Sequence, residues 1–332
     1  MIDSAAGSNG GVDIADLVAR AREGQPRAVG RLVSLVESAA PELRAVMAAL
    51  APDSGRAYVI GITGAPGVGK STTTSALVRT YRELGQRVGV LAVDPSSPFS
   101  GGALLGDRVR MQEHATDPNV FIRSMASRGH LGGLAAATPQ ALRVLDATGV
   151  DVVIVETVGV GQSEIEVAAA VDTTVVLLAP GMGDGIQAAK AGILEIGDVF
   201  GVNKSDREGA AATARELRNM VALADRGPHQ WVPPVVSFSA ISGDGIADLA
   251  AALAAHRAHL VDSDQLVGRR VRRAAAEIEA LAMGTLRAQL GDVHGDARLE
   301  VLAREVAAGA TDAYSAADRL VDALIGSAKI NP

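Results

Sequence analysis

Gly64-Ala65-Pro66-Gly67-Val68-Gly69-Lys70-Ser71 decides the fold. The octet satisfies G-x-x-x-x-G-K-[ST] at every position. It follows a short apolar run at 58–63 and precedes a helix-forming stretch that begins near Ser71. Strand, glycine-rich turn and helix in that order make a phosphate cradle. The glycines let successive backbone N–H groups turn inward around phosphate oxygens, and the helix N-terminus adds the positive end of its dipole. Lys70 is expected to reach the β- and γ-phosphates of a nucleoside triphosphate, and Ser71 to ligate Mg²⁺. Thr72 completes the expected binding segment. A glycine-rich turn with no ligand is the plainer reading, and the complete motif in its strand–helix setting outweighs it.

Outward from the octet, short β-rich apolar runs alternate with helical stretches, at 58–63, 88–93, 120–123, 152–155, 174–178, 199–203 and 235–239. Continuous rather than alternating apolar runs indicate strands buried on both faces. The pattern predicts an α/β fold of the P-loop NTPase class, with a doubly wound, mostly parallel sheet. Before it, apolar residues recur at helical spacing in three short segments punctuated by Gly24–Pro26 and Pro41. The expected organisation is a disordered leader at 1–12, an N-terminal helical extension at 13–55, the P-loop domain at 56–260, and a C-terminal helical dimerisation arm at 261–332.

The base is read further along. Asn203-Lys204-Ser205-Asp206 follows a strand and gives the N-K-x-D pattern of guanine-specific enzymes. A carboxylate at Asp206 can accept from both guanine N1–H and the N2 amino group, a donor pair that adenine lacks. Ser239-Ala240 ends the next strand, where such proteins set a backbone N–H against guanine O6. A helix-cap role is the simpler account of Asn203 or Asp206 taken alone. The γ-phosphate segment is less conventional: Glu156-Thr157-Val158-Gly159 stands where D-x-x-G is usual. Glu156 is expected to help hold Mg²⁺ or its water, and the Gly159 amide to contact the γ-phosphate. Val160 occupies the place of the usual water-orienting glutamine, and Gln162 is out of register. Slow intrinsic hydrolysis is therefore expected.

Composition bounds the rest. Of 332 residues, 48% are apolar but only 2% aromatic, so the core is aliphatic. A net charge of −7 argues against non-specific nucleic-acid binding. With no cysteine in the sequence, disulfides and cysteine metal sites are excluded. The first residues do not read as a signal peptide, and no stretch approaches the roughly 18 apolar residues of a spanning helix. A cytoplasmic protein is expected.

Longer blocks carry a family resemblance. They are Gly64–Ser71, Val93-Asp94-Pro95-Ser96-Ser97, GGALLGDRVRM at 101–111, Ser127-Arg128-Gly129, ETVGVGQSE at 156–164, APGMGDGIQAAKAGILEIGD at 179–198 and Asn203–Asp206. With these blocks the chain resembles the MeaB-type G-protein chaperones of adenosylcobalamin-dependent methylmalonyl-CoA mutase, also known under an older label as arginine/ornithine-transport kinases. The resemblance implies a homodimeric GTPase and metallochaperone using GTP/GDP and Mg²⁺. It would bind the mutase, gate adenosylcobalamin loading, and protect or reactivate the enzyme. It assigns Asp94 and Asp107 to the Mg²⁺ and switch I region, Glu156 to switch II, and Lys190 to a third switch. Lys70, Asp107, Glu156 and Lys190 are then the catalytic set. Asp94 and Asp107 are equally readable as helix caps or surface charges, and Lys190 as a solvated lysine. A nickel-delivery GTPase and a nucleotide-dependent kinase are the alternatives. The sparse histidines and absent cysteines count against the first, and Asp206 against an ATP-using kinase.

Three further features are read structurally. His256 and His259, three apart, are expected on a solvated helix face. The basic run Arg269-Arg270-Val271-Arg272-Arg273 is expected to form ion pairs within its helix or across subunits, and Trp231 to act as a packing anchor.

Overall fold

The structure, a computed structural model, describes residues 13–95, 112–114, 116–127, 137–157, 168–181, 193–224, 227, 230–290 and 296–328. Its strands are β1 (Tyr58–Thr63), β2 (Val88–Pro95), β3 (Val120–Ser127), β4 (Val152–Thr157), β5 (Thr173–Leu178), β6 (Val199–Val202) and β7 (Val235–Ser237). They form one sheet in the order β3-β2-β4-β1-β5-β6-β7, and every described pairing is parallel. The helices are α1 (Ile14–Arg22), α2 (Pro26–Glu37), α3 (Leu43–Leu50), α4 (Lys70–Glu83), α5 (Thr138–Ala147), α6 (Ile193–Ile196), α7 (Ala210–Leu223), α8 (Ile246–Asp262), α9 (Gln265–Leu290), α10 (Ala297–Ala307) and α11 (Ala313–Ala328).

Burial explains the continuous apolar runs. Every residue of β1, β4 and β5 is buried, because helices cover both faces. Successive side chains point to opposite faces. Val59, Val153 and Val155 join one core with Leu32 and Val33 of α2, Leu50 of α3, and Leu145 of α5. Ile60, Ile62, Val152 and Ile154 join the other with Leu77 of α4 and Leu249 and Leu253 of α8. The three N-terminal helices therefore share a core with the sheet. The described residues up to Arg269 make one compact unit and those from Arg270 a second, in which Leu302 of α10 and Leu320 and Leu324 of α11 form a small apolar cluster.

Some strands outrun their apolar segments. Main-chain pairing carries β2 and β3 on to Asp94 opposite Ala126 and Pro95 opposite Ser127, which side-chain hydropathy does not register. β6 and β7 end earlier than their apolar runs, at Val202 and Ser237, where the chain turns into the loops expected to read the base.

At the opposite edge from the P-loop, strand starts are held by aspartates. The first amides of a parallel strand need partners, and the residue just before a neighbouring strand supplies them. Asp151 accepts from Arg87 N at 2.8 Å, Asp172 from Val59 N at 3.1 Å, and Asp198 from Thr174 N at 2.9 Å. Asp198 also takes a bidentate pair from Arg269, at 2.8 and 2.9 Å. Arg269 thus pairs with a residue distant in sequence, not with the acids near it on its own helix. Its guanidinium additionally donates to Asp172 O at 3.0 Å.

His256 overturns the solvated-face expectation: it is fully buried. It continues the stripe Leu249, Leu253, His256, Leu260, whose spacing marks the inner face of α8. Trp231 covers it, with ring centroids 4.9 Å apart, and is itself fixed by a bond from Nε1 to Asp198 O at 2.7 Å. Nδ1 of His256 meets Thr173 Oγ1 at 2.7 Å. Nε2 lies 3.3 Å from Asp198 Oδ1 without hydrogen-bond alignment. Burial pushes the imidazole down to about 4, although Asp198 pulls the other way.

Two outcomes follow. Asp198→Ala leaves the Arg269 guanidinium without its carboxylate and lowers unfolding free energy by about 2–3 kcal/mol in urea titration. His256 is depressed below its unfolded value, so its stabilising contribution is complete above about pH 6.5. It is lost as pH falls toward about 4, because the unfolded chain takes up the proton first. Denaturation measured across that window should steepen toward acid in the native chain and flatten in His256→Gln.

Candidate functional site

The P-loop leaves β1 at Thr63 and enters α4 at Lys70. Its path needs glycine at two positions. Gly64 has φ +138°, and a Cβ there would lie 2.3 Å from Leu177 O. Gly69 has φ +94°, and a Cβ there would lie 2.3 Å from Asn203 Nδ2. Ala65, Pro66 and Gly67 form the outer part of the loop, while Val68 is buried in the core. Lys70 folds back over the loop, its Nζ donating to Gly64 O at 2.7 Å and Ala65 O at 3.2 Å. Thr72 is half-buried in the first turn of α4.

Ser71 and Glu156 come together across the sheet. Glu156 sits near the end of β4, opposite Ile62 of β1 and Ala92 of β2, and only 4% of it is exposed. Its carboxylate accepts from Ser71 Oγ at 2.5 Å and from Thr74 Oγ1 at 3.0 Å. Thr74 was not singled out in the sequence. The signal for it was the hydroxyl-rich run Ser71-Thr72-Thr73-Thr74-Ser75 on a helix whose Ser71, Thr73, Thr74 and Ser75 are all buried. One turn on, Ser75 Oγ bonds Glu113 and lies 2.9 Å from His114 Nε2.

The base-reading loops are fastened to the P-loop by Asn203. Its Nδ2 donates to Val68 O at 2.8 Å, and its Oδ1 accepts from Lys204 N at 2.7 Å and Ala240 N at 3.0 Å. One buried amide thus ties three loops together. Lys204 holds a left-handed backbone, φ +60°, which is costly outside glycine. Its Nζ bond to Gly67 O at 2.7 Å helps to fix it there. Asp206 is exposed to solvent. A hydrogen bond from Ser239, followed by its own backbone amide, holds its carboxyl below the usual carboxylate range. It is therefore an ionised acceptor at neutral pH. Ser239 N donates to Asp244 O, so both Ser239 and Ala240 amides have protein acceptors.

The Asp94 backbone lies on β2, and its side chain is outside the described residues. Asp107, Gly159, Val160, Gln162 and Lys190 lie outside them altogether. Among the described residues, then, the P-loop, Glu156, Asn203–Asp206 and Ser239–Ala240 converge at one edge of the sheet.

Gly69→Ala and Asn203→Ala each weaken GDP binding at least about tenfold, since both disturb the seating of the Asn203 amide against the P-loop. Titration calorimetry of the double variant should show a smaller loss than the two singles combined. Unchanged affinity in Asn203→Ala would remove that residue from the site.

Comparison with known proteins agrees with this fold. The family profile described as methylmalonyl Co-A mutase-associated GTPase MeaB matches residues 29–293. A Pyrococcus abyssi protein named as a GTPase is 45% identical over 315 residues, spanning 94% of this chain and 97% of its own. GTPase ArgK of Escherichia coli is 38% identical over 260 residues, spanning 76% of this chain and 78% of its own. The crystal structure of an LAO/AO transport system kinase superposes with a TM-score of 0.72 at 26% identity, covering 97% of this chain and 98% of the other. This chain belongs to the MeaB family of P-loop GTPases.

Proposed function

We propose that the protein binds GTP with Mg²⁺, hydrolyses it slowly to GDP and phosphate, and uses the cycle to chaperone adenosylcobalamin-dependent methylmalonyl-CoA mutase. The reading rests most on the buried Ser71–Glu156–Thr74 contact. It joins the phosphate cradle to the end of β4, from which the expected switch II segment departs.

In this reading Lys70 moves from the loop carbonyls to the β- and γ-phosphates. Water forms a bond to the γ-phosphorus as the bridging P–O bond breaks toward GDP, and both water protons leave with the phosphate, which gives one up to solvent according to pH. Lys70 and the P-loop amides stabilise charge developing on the phosphate oxygens. Ser71 and Glu156 offer hard oxygen donors that suit Mg²⁺, with the expected contributions of Asp94 and Asp107 added. The ion, when bound, neutralises charge on the phosphates. Asp206 selects guanine through N1–H and N2–H₂, with Ser239 orienting it. The Gly159 amide and Lys190 relay the state of the γ-phosphate to the client.

The client is inferred from the family description. Gating of cofactor loading, and protection or reactivation of the mutase, extend that inference. A homodimer is proposed through the arm, where Val271, Ile278 and Leu281 of α9 are exposed at heptad spacing. The protein is proposed to be cytoplasmic and to use neither nucleic acid nor membrane. No described helix is long and apolar enough to cross a bilayer. The kinase name of the related protein of known structure keeps one second reading open: γ-phosphate transfer to an acceptor other than water.

The test is turnover of GTP and ATP with and without methylmalonyl-CoA mutase, alongside co-purification of the two proteins. The expected result is a stable complex and mutase-stimulated GTP hydrolysis, abolished in Lys70→Ala. Asp206→Asn should cut the preference for GTP over ATP by at least about a hundredfold. Hydrolysis without mutase binding would keep the nucleotide chemistry and remove the client. Labelled phosphate appearing on a protein or amino acid would favour the kinase.

A further inference from the structure

At the edge of the sheet away from the P-loop there is a cavity of about 400 Å³. It lies where α1, α5 and α8 end against the starts of β1, β2 and β4, and four arginines line it: Arg22, Arg56, Arg87 and Arg257. Three carboxylates line it too, and each is already committed. Asp53 pairs with Arg22 at 2.5 Å. Asp146 accepts from the amides of Gly55, Arg56 and Ala57. Asp151 accepts from Arg87 N at 2.8 Å.

The arginines are not equally committed. Arg56 approaches Asp53 only at 3.7 Å and is largely exposed. Arg257 lies over the Tyr58 ring, its guanidinium carbon 5.1 Å from the centroid. Arg87 is seated against Gly24 and Gly149: a Cβ on Gly24 would meet its Nη2 at 2.3 Å, and one on Gly149 its Nη1 at 3.2 Å. Among the described residues, neither Arg87 nor Arg257 has a carboxylate at ion-pair distance. Two guanidinium groups are thus positioned by packing, at a cavity whose three carboxylates already have other partners. Guanidinium groups held this way suit a tetrahedral oxyanion better than a lysine would.

Gln86 sharpens the ligand class. It lines the same cavity, and its Oε1 is buried with no donor. A buried amide oxygen left unpaired is costly, and a ligand O–H would satisfy it. We propose that this cavity binds inorganic phosphate as the hydrogen phosphate dianion. Arg87 and Arg257 hold its oxygens, and Gln86, its amide turned toward the ligand, accepts the one remaining O–H through Oε1, which otherwise is buried without a donor. Sulfate has the same shape and charge but no proton to give. A phosphomonoester dianion likewise lacks the O–H.

Calorimetric titration above neutral pH tests this, with the P-loop filled by saturating GDP so that only a second site is read. Inorganic phosphate, sulfate and methyl phosphate are titrated separately. The expected result is saturable phosphate binding, at least about tenfold tighter than either competitor. Arg87→Gln/Arg257→Gln should lose phosphate binding, and Gln86→Leu should bring phosphate and sulfate to equal affinity. GTP turnover in both variants should match the native chain, which shows that the fold and the P-loop are intact. Phosphate and sulfate binding equally to the native chain, methyl phosphate binding as tightly as phosphate, or no saturation up to about 10 mM phosphate would each overturn the assignment.

Discussion

Burying the carboxylate of Glu156 constrains everything at the nucleotide edge. A carboxylate with 4% exposure is costly unless its oxygens are met by donors. Two of those donors, Ser71 and Thr74, come from the first turns of α4, so the helix that follows the P-loop can start in only one place relative to β4. The glycines at 64 and 69 then follow as necessities. The loop must leave β1 close against Leu177 and reach α4 close against Asn203, with no room for a Cβ at either point. The phosphate cradle is therefore shaped by the strands on both sides of it as much as by its own sequence.

Asn203 extends the same logic to the base. It is the hub at which P-loop, N-K-x-D loop and Ser-Ala loop meet, through Val68 O, Lys204 N and Ala240 N. That arrangement divides labour inside N-K-x-D: Asn203 is buried and structural, while Asp206 is exposed to solvent. At the other edge of the sheet, aspartates preceding the strands do a comparable job by holding neighbouring strand starts. The sheet is pinned at one end by Asp151, Asp172 and Asp198, and opens its functional loops at the other.

Much of this was legible in the sequence, for physical reasons that differ from case to case. The P-loop is contiguous, and its strand–turn–helix context is local, so residues 58–71 could be read directly. The inner strands were visible because parallel strands buried on both faces leave unbroken apolar runs, and the partly buried edge strands β3 and β7 still carried short ones. Their ends were less visible, since pairing of Asp94 with Ala126 depends on backbone geometry and not on side chains. His256 was misread because a polar residue on a helix suggests solvent. Its place in the stripe with Leu249, Leu253 and Leu260 carried the better signal. Arg269 was misread because its partner, Asp198, is remote in the chain and only the fold brings the two together. Thr74 and the hub role of Asn203 depend on contacts between segments and have no local signature beyond polarity where burial is expected.

The central claim is that Glu156 and the start of α4 act as one unit that couples the phosphate cradle to β4. A double-mutant cycle on Thr74→Val and Glu156→Gln, read as the affinity for GDP with Mg²⁺, tests it most directly. The account predicts a coupling energy of at least about 1 kcal/mol between the two positions. Additive effects would contradict it, because Thr74 would then be indifferent to the charge it is placed to satisfy.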